Sequence, residues 1–320
     1  MTSGPNNNPN NNNPAPQNNG SSADSTANTT DTTGTTYWYD GQPVVGNTIT
    51  LPIDNLGLIR GATLFTTMRI HHRLDHPATQ WDAHRDRLRH AITHLKFMPP
   101  NWDRIVAGVE YMVQHYPIVR IVVFPDGVEW VTGRSLSPDL GRKQTQGITV
   151  WVAPPDYQRT LPQYKSSSYL APWLAAREGH DRNAEETILT NHEGHWLETA
   201  TGNLWGYGEG QWWIPPLFKT LAGDRQTGQR LPGTSQNFMV QLLEDAGHRV
   251  TPRPWTPDWV VGLEAIAYSN SGVGLIPIRQ VLDTQNNPIW HNPDRSPADD
   301  LLNLWKRAIR PESMSSLETR

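Results

Sequence analysis

The first 36 residues contain no aromatic and no branched aliphatic side chain, and this absence fixes where a packed structure can begin. The stretch is written in Asn, Pro, Ser, Thr, Gly and a little Ala, and its only charged side chains are Asp24 and Asp31. Such a segment buries too little apolar surface to offset the entropy of ordering it, so residues 1–36 are expected to be a disordered tail. The whole chain of 320 residues sets 27 Lys and Arg against 31 Asp and Glu, a net charge of -4. Removing the tail's two acids leaves -4 + 2 = -2, so the tail hides no basic domain. A balance of this sign excludes a generally basic nucleic-acid binder. Without Cys there is no disulfide framework, no Cys-ligated zinc and no thiol nucleophile. No run reaches the ~18 apolar residues of a membrane span, and no basic stretch followed by an apolar core opens the sequence. A soluble, cytoplasmic protein with neither nucleic-acid nor membrane partners is expected.

Beyond the tail, short apolar runs alternate with stretches of helical period. Tyr37, Trp38 and Tyr39 lead into Asp40-Gly41, a hairpin signal. Residues 51–70 are short apolar pieces broken at Gly57 and Gly61. Helical spacing runs over 81–97, with Leu88, Ile92 and Leu95 on one side, and over 102–115, with Ile105, Val109 and Met112 as a core stripe. Pro117 ends the second helix. Strands are predicted at 118–124 and 147–153, and Pro154-Pro155 then opens a loop that holds a domain boundary. A helix over 168–178 precedes short strands at 187–190, 196–198, 204–207 and 212–214. Another helix follows Ser235, turning Phe238, Leu242, Leu243 and Ala246 inward and closing at Gly247. Strands at 249–252, 265–269 and 276–282 and a short helix near 301–309 complete the fold. The sequence carries no internal repeat. An α+β chain of two domains is expected, a small N-terminal one over 37–157 and a larger one over 158–310, with a second tail at 311–320.

The chemistry-bearing residues are weak signals one at a time. His90 and His94 have the i, i+4 spacing of a zinc pair, but no HExxH pattern accompanies them and His71-His72 has no partner, so no metal is expected. Gly206-Tyr207-Gly208 and Gly272-Val273-Gly274 are fragments of nucleotide fingerprints without the strand-to-helix setting. Gly233-Thr234-Ser235 says more, because it stands just before a strongly amphipathic helix. A glycine there lets backbone N–H groups approach an anion, the helix N-terminus adds unsatisfied donors and partial positive charge, and two hydroxyls add more. An ordinary Ser/Thr N-cap is the plain alternative. Lys165 in a loop of small residues, Glu198 at the end of a strand and Arg87 on the first helix each read as solvated side chains when taken alone.

Their joint order resembles that of the fold-type IV pyridoxal-phosphate enzymes, the family of branched-chain and D-amino-acid aminotransferases and of aminodeoxychorismate lyases. The resemblance runs from about Trp38 to Asp283. Gly61, Phe65, Thr66 and Arg69 resemble the family's glycine–Phe–(Glu/Thr)–x–x–Arg strand. His84, Arg87 and Leu88 resemble its HxxRL helix motif, and Lys165 with Ser168 resembles the cofactor lysine with a small polar residue three positions on. Glu198, Asn203 and Leu204 resemble its EGxxxNLF strand; Leu231, Pro232, Gly233, Thr234 and Ser235 resemble its LPGIT phosphate loop. Ser269 and Ser271, with Ile276-Pro277-Ile278, resemble its closing strand. The resemblance implies a two-domain fold like that of D-amino-acid aminotransferase, pyridoxal 5′-phosphate as cofactor, and a homodimer. It implies that Lys165 holds the cofactor covalently and moves protons, and that Glu198 keeps the ring nitrogen protonated. Arg87, Gly233, Thr234, Ser235 and Ser271 would cradle the phosphate, and Ser168 would sit near the ring oxygen.

Two departures bear on the reaction. The phosphate loop reads Gly-Thr-Ser-Gln where many members have Gly-Ile-Thr-Arg, which keeps hydroxyl donors at the key place. Phe124, Pro125, Asp126 and Gly127 stand where aminotransferases carry the Tyr, Arg or His that reads a substrate carboxylate, and they depart equally from the Arg-Gly turn of many lyases. Phe65-Thr66-Thr67 favours a lyase over a branched-chain enzyme, since a hydroxyl there is suited to protonate a departing enolpyruvate. The expected activity is conversion of 4-amino-4-deoxychorismate to 4-aminobenzoate and pyruvate, a step of folate synthesis, with Lys165, Thr66 and Thr67 catalytic. Arg60, Arg69 and Arg120 are the candidates to meet the small-molecule substrate's carboxylates. The alternatives are an aminotransferase for D- or branched-chain amino acids and, in another class, a non-catalytic interaction module on the same fold.

Overall fold

A computed structural model describes residues 35–220, 226–292 and 294–311. The two expected tails therefore lie almost wholly outside the described residues, although Thr36 already belongs to a strand. Mixed helix and strand run throughout, in the expected α+β manner.

The N-terminal part builds a five-stranded antiparallel sheet. Strands β1 (Thr36–Tyr39) and β2 (Gln42–Val45) form the expected hairpin, and Asp40 and Gly41 both take positive φ, as its two-residue turn requires. Strands β3 (Leu64–Arg69), β4 (Ile118–Val123) and β5 (Glu129–Arg134) complete it in the order β2-β1-β5-β4-β3. A short helix α1 (Leu56–Arg60) precedes β3, and helices α2 (Trp81–His94) and α3 (Trp102–Val113) pack on the sheet. The stripe Ile105, Val109 and Met112 is fully buried there with Leu64, Met68, Leu88 and Ile121. Strand β5 follows the Pro125–Gly127 turn but was not among the expected strands, because its Thr and Gly blur the alternation.

The second sheet has nine strands: β6 (Ile148–Val152), β7 (Glu186–Thr190), β8 (Trp196–Thr199), β9 (Asn203–Gly208), β10 (Gln211–Ile214), β13 (Val250–Pro252), β14 (Ala265–Asn270), β15 (Gly274–Leu282) and β16 (Pro288–His291). Its order is β13-β10-β9-β14-β15-β6-β7-β8, with β16 on β15. A small pair, β11 (Phe218–Thr220) and β12 (Gln226–Gly228), stands apart. Sheet membership thus changes between Arg134 and Ile148, so β6, read from sequence as part of 37–157, pairs in the second sheet. Helices α4 (Leu140–Gln146), α5 (Leu170–Asp181), α6 (Thr234–Asp245), α7 (Pro257–Val260) and α8 (Ser296–Ala308) accompany it. On α6, Leu243 is buried as expected, but the other buried apolar residue is Met239; Ala246 lies past the last turn and is exposed.

Strand β3 is the edge that joins the two parts. An open edge presents unpaired backbone groups, and here the loop before α5 meets them: Phe65 N–H donates to Lys165 C=O at 2.9 Å and Ser167 N–H donates to Thr63 C=O at 2.9 Å. At the far end of β3, Arg69 N–H donates to Ser271 C=O at 2.9 Å.

Candidate active site

These stitches leave a cavity of about 390 Å³ between β3, the 165–169 loop and the start of α6. Period two on β3 decides what faces it. Phe65 and Thr67 line the cavity, while Leu64, Thr66 and Met68 turn to the opposite, fully buried face. The loop at 165–167 lies extended along β3 and alternates in the same way. Lys165 and Ser167 line the cavity, whereas Ser168 is exposed outside it.

Of the other residues singled out in the sequence, Arg87, Arg120, Glu198, Gly233, Thr234, Ser235 and Ser271 all line the same cavity. Arg60 is exposed at the end of α1, and Arg69 is half-buried outside the wall. Thr66 is fully buried behind it, where its hydroxyl accepts from Arg87 Nη2 at 2.9 Å and meets His84 Nδ1 at 2.5 Å.

The cavity has chemically distinct ends. At one, Gly233 is the N-cap of α6 and brings no capping side chain, so the first-turn N–H groups remain available. The closeness of the packing here requires a glycine: a Cβ on residue 233 would stand 1.8 Å from Asn203 Oδ1. Thr234 Oγ1 lies 3.0 Å from Ser271 Oγ. Arg87 Nη1 donates to Pro232 C=O at 3.0 Å, its Nε is buried without a partner, and no carboxylate pairs with it among the described residues. Burial pushes the Arg87 guanidinium down to about 10. An uncapped helix start, two hydroxyls and a buried unpaired guanidinium fit a phosphate group.

Lys165 is the amine of the site. Its Nζ stands 4.7 Å from the Phe65 ring centroid and forms no ion pair among the described residues. Burial, reinforced by Arg87 and Arg159, pushes its pKa well below the usual lysine range against the opposing pull of Glu198. Glu198 is only 3% exposed and accepts from Arg159 Nε at 3.0 Å and from Leu231 N–H at 3.4 Å. Arg159 also donates to Ala200 C=O at 2.6 Å and to the Tyr169 hydroxyl at 3.3 Å.

Sequence reasoning did not single out Arg159, Tyr169 or Arg134, all of which line the cavity. Arg159 sits in an aperiodic loop that offers no signal. Arg134 ends the missed strand β5, and reading that strand as the hairpin partner of β4 would have placed it beside Arg120. His90 and His94, the spaced histidine pair, lie exposed on α2 with ring centroids 4.8 Å apart and planes tilted by 36°, and no group of three or more metal-ligating side chains occurs among the described residues.

Residues 63–281 match the model of the amino-transferase class IV family. No curated protein matches the chain. Among solved structures, the branched-chain amino acid aminotransferase of Escherichia coli superposes with a TM-score of 0.70 at 17% identity, over 84% of this chain and 93% of that one. A hypothetical aminotransferase from Mycobacterium tuberculosis, in its alpha-ketoglutarate- and PMP-bound form, gives 0.72 at 16% identity over 86% and 98%. A protein provisionally assigned as a 4-amino-4-deoxychorismate lyase gives 0.62 at 22% identity over 83% and 97%. With the fold, the cavity and this match in agreement, the chain belongs to the class IV aminotransferase family and its cofactor is pyridoxal 5′-phosphate.

Proposed function

We propose that this protein is a lyase that converts 4-amino-4-deoxychorismate to 4-aminobenzoate and pyruvate. The observation that carries the reading is the Thr67 hydroxyl in the cavity wall, next to a Thr66 already engaged by Arg87 and His84. An aminotransferase has no leaving enolpyruvate to protonate, whereas a lyase does, and Thr67 lines the cavity with no hydrogen-bond partner for its hydroxyl among the described residues. Thr66 accordingly takes a supporting place rather than the catalytic one.

Bound pyridoxal phosphate supplies an aldehyde for the amine and a ring that accepts the electron pair released at the neighbouring carbon. Lys165 would hold that aldehyde in the resting protein and would be available as a base once a substrate amine is bound. Its neutral amine then removes the proton from the carbon bearing nitrogen. Glu198, steadied by Arg159, would hold a proton at the ring nitrogen. Arg87, the start of α6 and Ser271 would bind the phosphate. The C–O bond to the enolpyruvyl group breaks, Thr67 delivers a proton to it, and the products together contain every atom of the substrate. Arg120 and Arg134 take the substrate's two carboxylates; both line the cavity and neither has a carboxylate partner among the described residues.

The same two arginines suit a dicarboxylic amino acid such as glutamate, which makes an aminotransferase the second reading. One assay separates them. The purified protein should release 4-aminobenzoate and pyruvate in equal amounts from 4-amino-4-deoxychorismate. Conversion of bound cofactor to its amine form by glutamate, without activity on aminodeoxychorismate, would establish the aminotransferase instead. A homodimer is part of this proposal. Ile53, Leu56, Leu58 and Ile59 around α1 and Leu170, Trp173 and Leu174 on α5 expose apolar side chains, of the kind that a subunit interface covers. A monomer by sedimentation at micromolar concentration would contradict it.

A further inference from the structure

His84 is the one polar member of the buried stripe of α2, alongside Leu88, Ala91 and Ile92, and it is 0% exposed. A histidine in such a place is costly unless both ring nitrogens are bonded. Both are: Nδ1 lies 2.5 Å from Thr66 Oγ1 and Nε2 lies 3.0 Å from Thr234 Oγ1. One ring therefore ties α2 to β3 and to the first turn of α6. Burial, with Arg87 and then Lys165 nearby, holds its pKa well below the usual histidine range, so the ring is neutral and carries a single N–H.

Counting hydrogens decides which nitrogen carries it. Thr66 Oγ1 already accepts from Arg87 Nη2 at 2.9 Å, and its own hydrogen needs an acceptor. If Nδ1 were the donor, Thr66 would accept twice and its hydrogen would have no partner among the described residues. Thr234 would then spend its hydrogen on Nε2 and turn only lone pairs toward the cavity. If Nε2 is the donor, every group is satisfied. Thr66 donates to Nδ1, Nε2–H donates to Thr234, and the Thr234 hydrogen is free to point at Ser271 or at an anion. Ser271 Oγ, 3.0 Å from Thr234 Oγ1, can then direct its own hydrogen at the anion as well.

We propose that His84 is a positioning residue for the cofactor phosphate: as the Nε2–H tautomer it fixes the polarity of the chain Arg87–Thr66–His84–Thr234–Ser271, so that hydroxyl hydrogens rather than lone pairs face the phosphate. This rests on the reading of the α6 end as the phosphate cradle. The tautomer is visible in side-chain ¹⁵N shifts of histidine-labelled protein saturated with inorganic phosphate, with the His84 signal identified by its loss in His84→Gln. A protonated Nε2 is expected, and a protonated Nδ1 would overturn the proposal. The second measurement is the ratio of affinities for pyridoxal 5′-phosphate and for unphosphorylated pyridoxal. Removing the N–H that orients Thr234, and through it Ser271, weakens hydrogen bonds to a charged group and lowers that ratio by about tenfold in His84→Phe. His84→Gln, whose amide N–H reaches toward the Nε2 position, restores most of it, whereas a merely space-filling ring would be replaced better by Phe than by Gln. A wild-type ratio in a folded His84→Phe protein overturns the role of His84 alone. A wild type that does not discriminate the two vitamers at all removes the phosphate cradle and this inference with it. If His84→Phe does not fold, the tautomer in the wild type still decides.

Discussion

Gly233→Ala isolates a single contact, because nothing else at that position resists a side chain. The backbone there has φ -76 and ψ 126, a region that alanine adopts freely. The whole cost comes from the new Cβ, which would stand 1.8 Å from Asn203 Oδ1, where real contacts essentially never fall below 3.0 Å. The Asn203 amide must therefore retreat by at least 3.0 - 1.8 = 1.2 Å. Its Nδ2 donates to Leu231 C=O at 2.9 Å in a buried setting, and a shift of that size breaks the bond. Losing a buried hydrogen bond costs about 1–3 kcal/mol, and an off-rotamer side chain adds about 0.5–1.5 kcal/mol. Together these lower the melting temperature by roughly 3–8 °C for a chain of this size. Calorimetry on Gly233→Ala, Asn203→Ala and the double variant checks the cause. Once Asn203 is cut back to Ala the clash is gone, so the double variant should be no less stable than Asn203→Ala by more than about 0.5 kcal/mol. Losses that simply add would refute the argument, because they would put the cost of the alanine somewhere other than Asn203.

Three further outcomes follow from other groups. His71 is 6% exposed against Trp305, and burial, with Arg69 beside it, lowers its pKa to about 3. The unfolded chain therefore takes up its proton first as pH falls: the full stability is present above pH 6.5 and drains away down to about 3, by about 2 kcal/mol at pH 5. Denaturant titrations at pH 7 and 5 should show that His71→Phe loses about that much less than wild type; an unchanged pH dependence would contradict the assignment. Arg159→Leu leaves Glu198 buried without its cation and should destabilise the cofactor-free protein by about 3–5 kcal/mol, much of it recovered by adding Glu198→Gln, as thermal unfolding would show. Arg120→Met should raise KM for a dicarboxylic substrate by about tenfold or more while leaving the cofactor absorbance in place, and an unchanged KM would free Arg120 of that role.

How far the sequence could be read depended on period. Helices α2 and α3 announced themselves through Leu88, Ile92, Ile105, Val109 and Met112, because an amphipathic stripe survives whatever it packs against. An ordered set of motifs singled out Arg87, Lys165, Glu198, Gly233, Thr234, Ser235 and Ser271, and these do share one cavity, whereas Thr66, Ser168, Arg60 and Arg69 do not line it. Which side of a strand a residue takes was not legible. Adjacent hydroxyls at Thr66 and Thr67 look interchangeable in one dimension, yet period two sends one into the core to meet His84 and the other into the cavity. The same half-turn separates Ser167 from Ser168. Arg159 was silent for a different reason. Its partner Glu198 is 39 residues away, and an ion pair across such a separation leaves no local pattern.

The charge inside the cavity runs against that of the whole chain. Arg87, Arg120, Arg134, Arg159 and Lys165 line it, while Glu198 is the one carboxylate in its wall, in a chain of net charge -4. Crowded cations in a buried space raise one another's free energy, and the strain is relieved either by an anion or by loss of a proton. Arginines hold their protons too firmly to yield. Burial lowers Arg87 only to about 10. Lys165 starts lower, is pushed well below the usual lysine range by burial and by Arg87 and Arg159, and has its one carboxylate neighbour committed to Arg159, so it is the member that gives way. An arrangement suited to a phosphate and carboxylates is thus, by the same crowding of cations, one that disfavours the proton on the lysine. A neutral amine beside an anion cradle is what an aldehyde-bearing phosphate ester requires of its binding site.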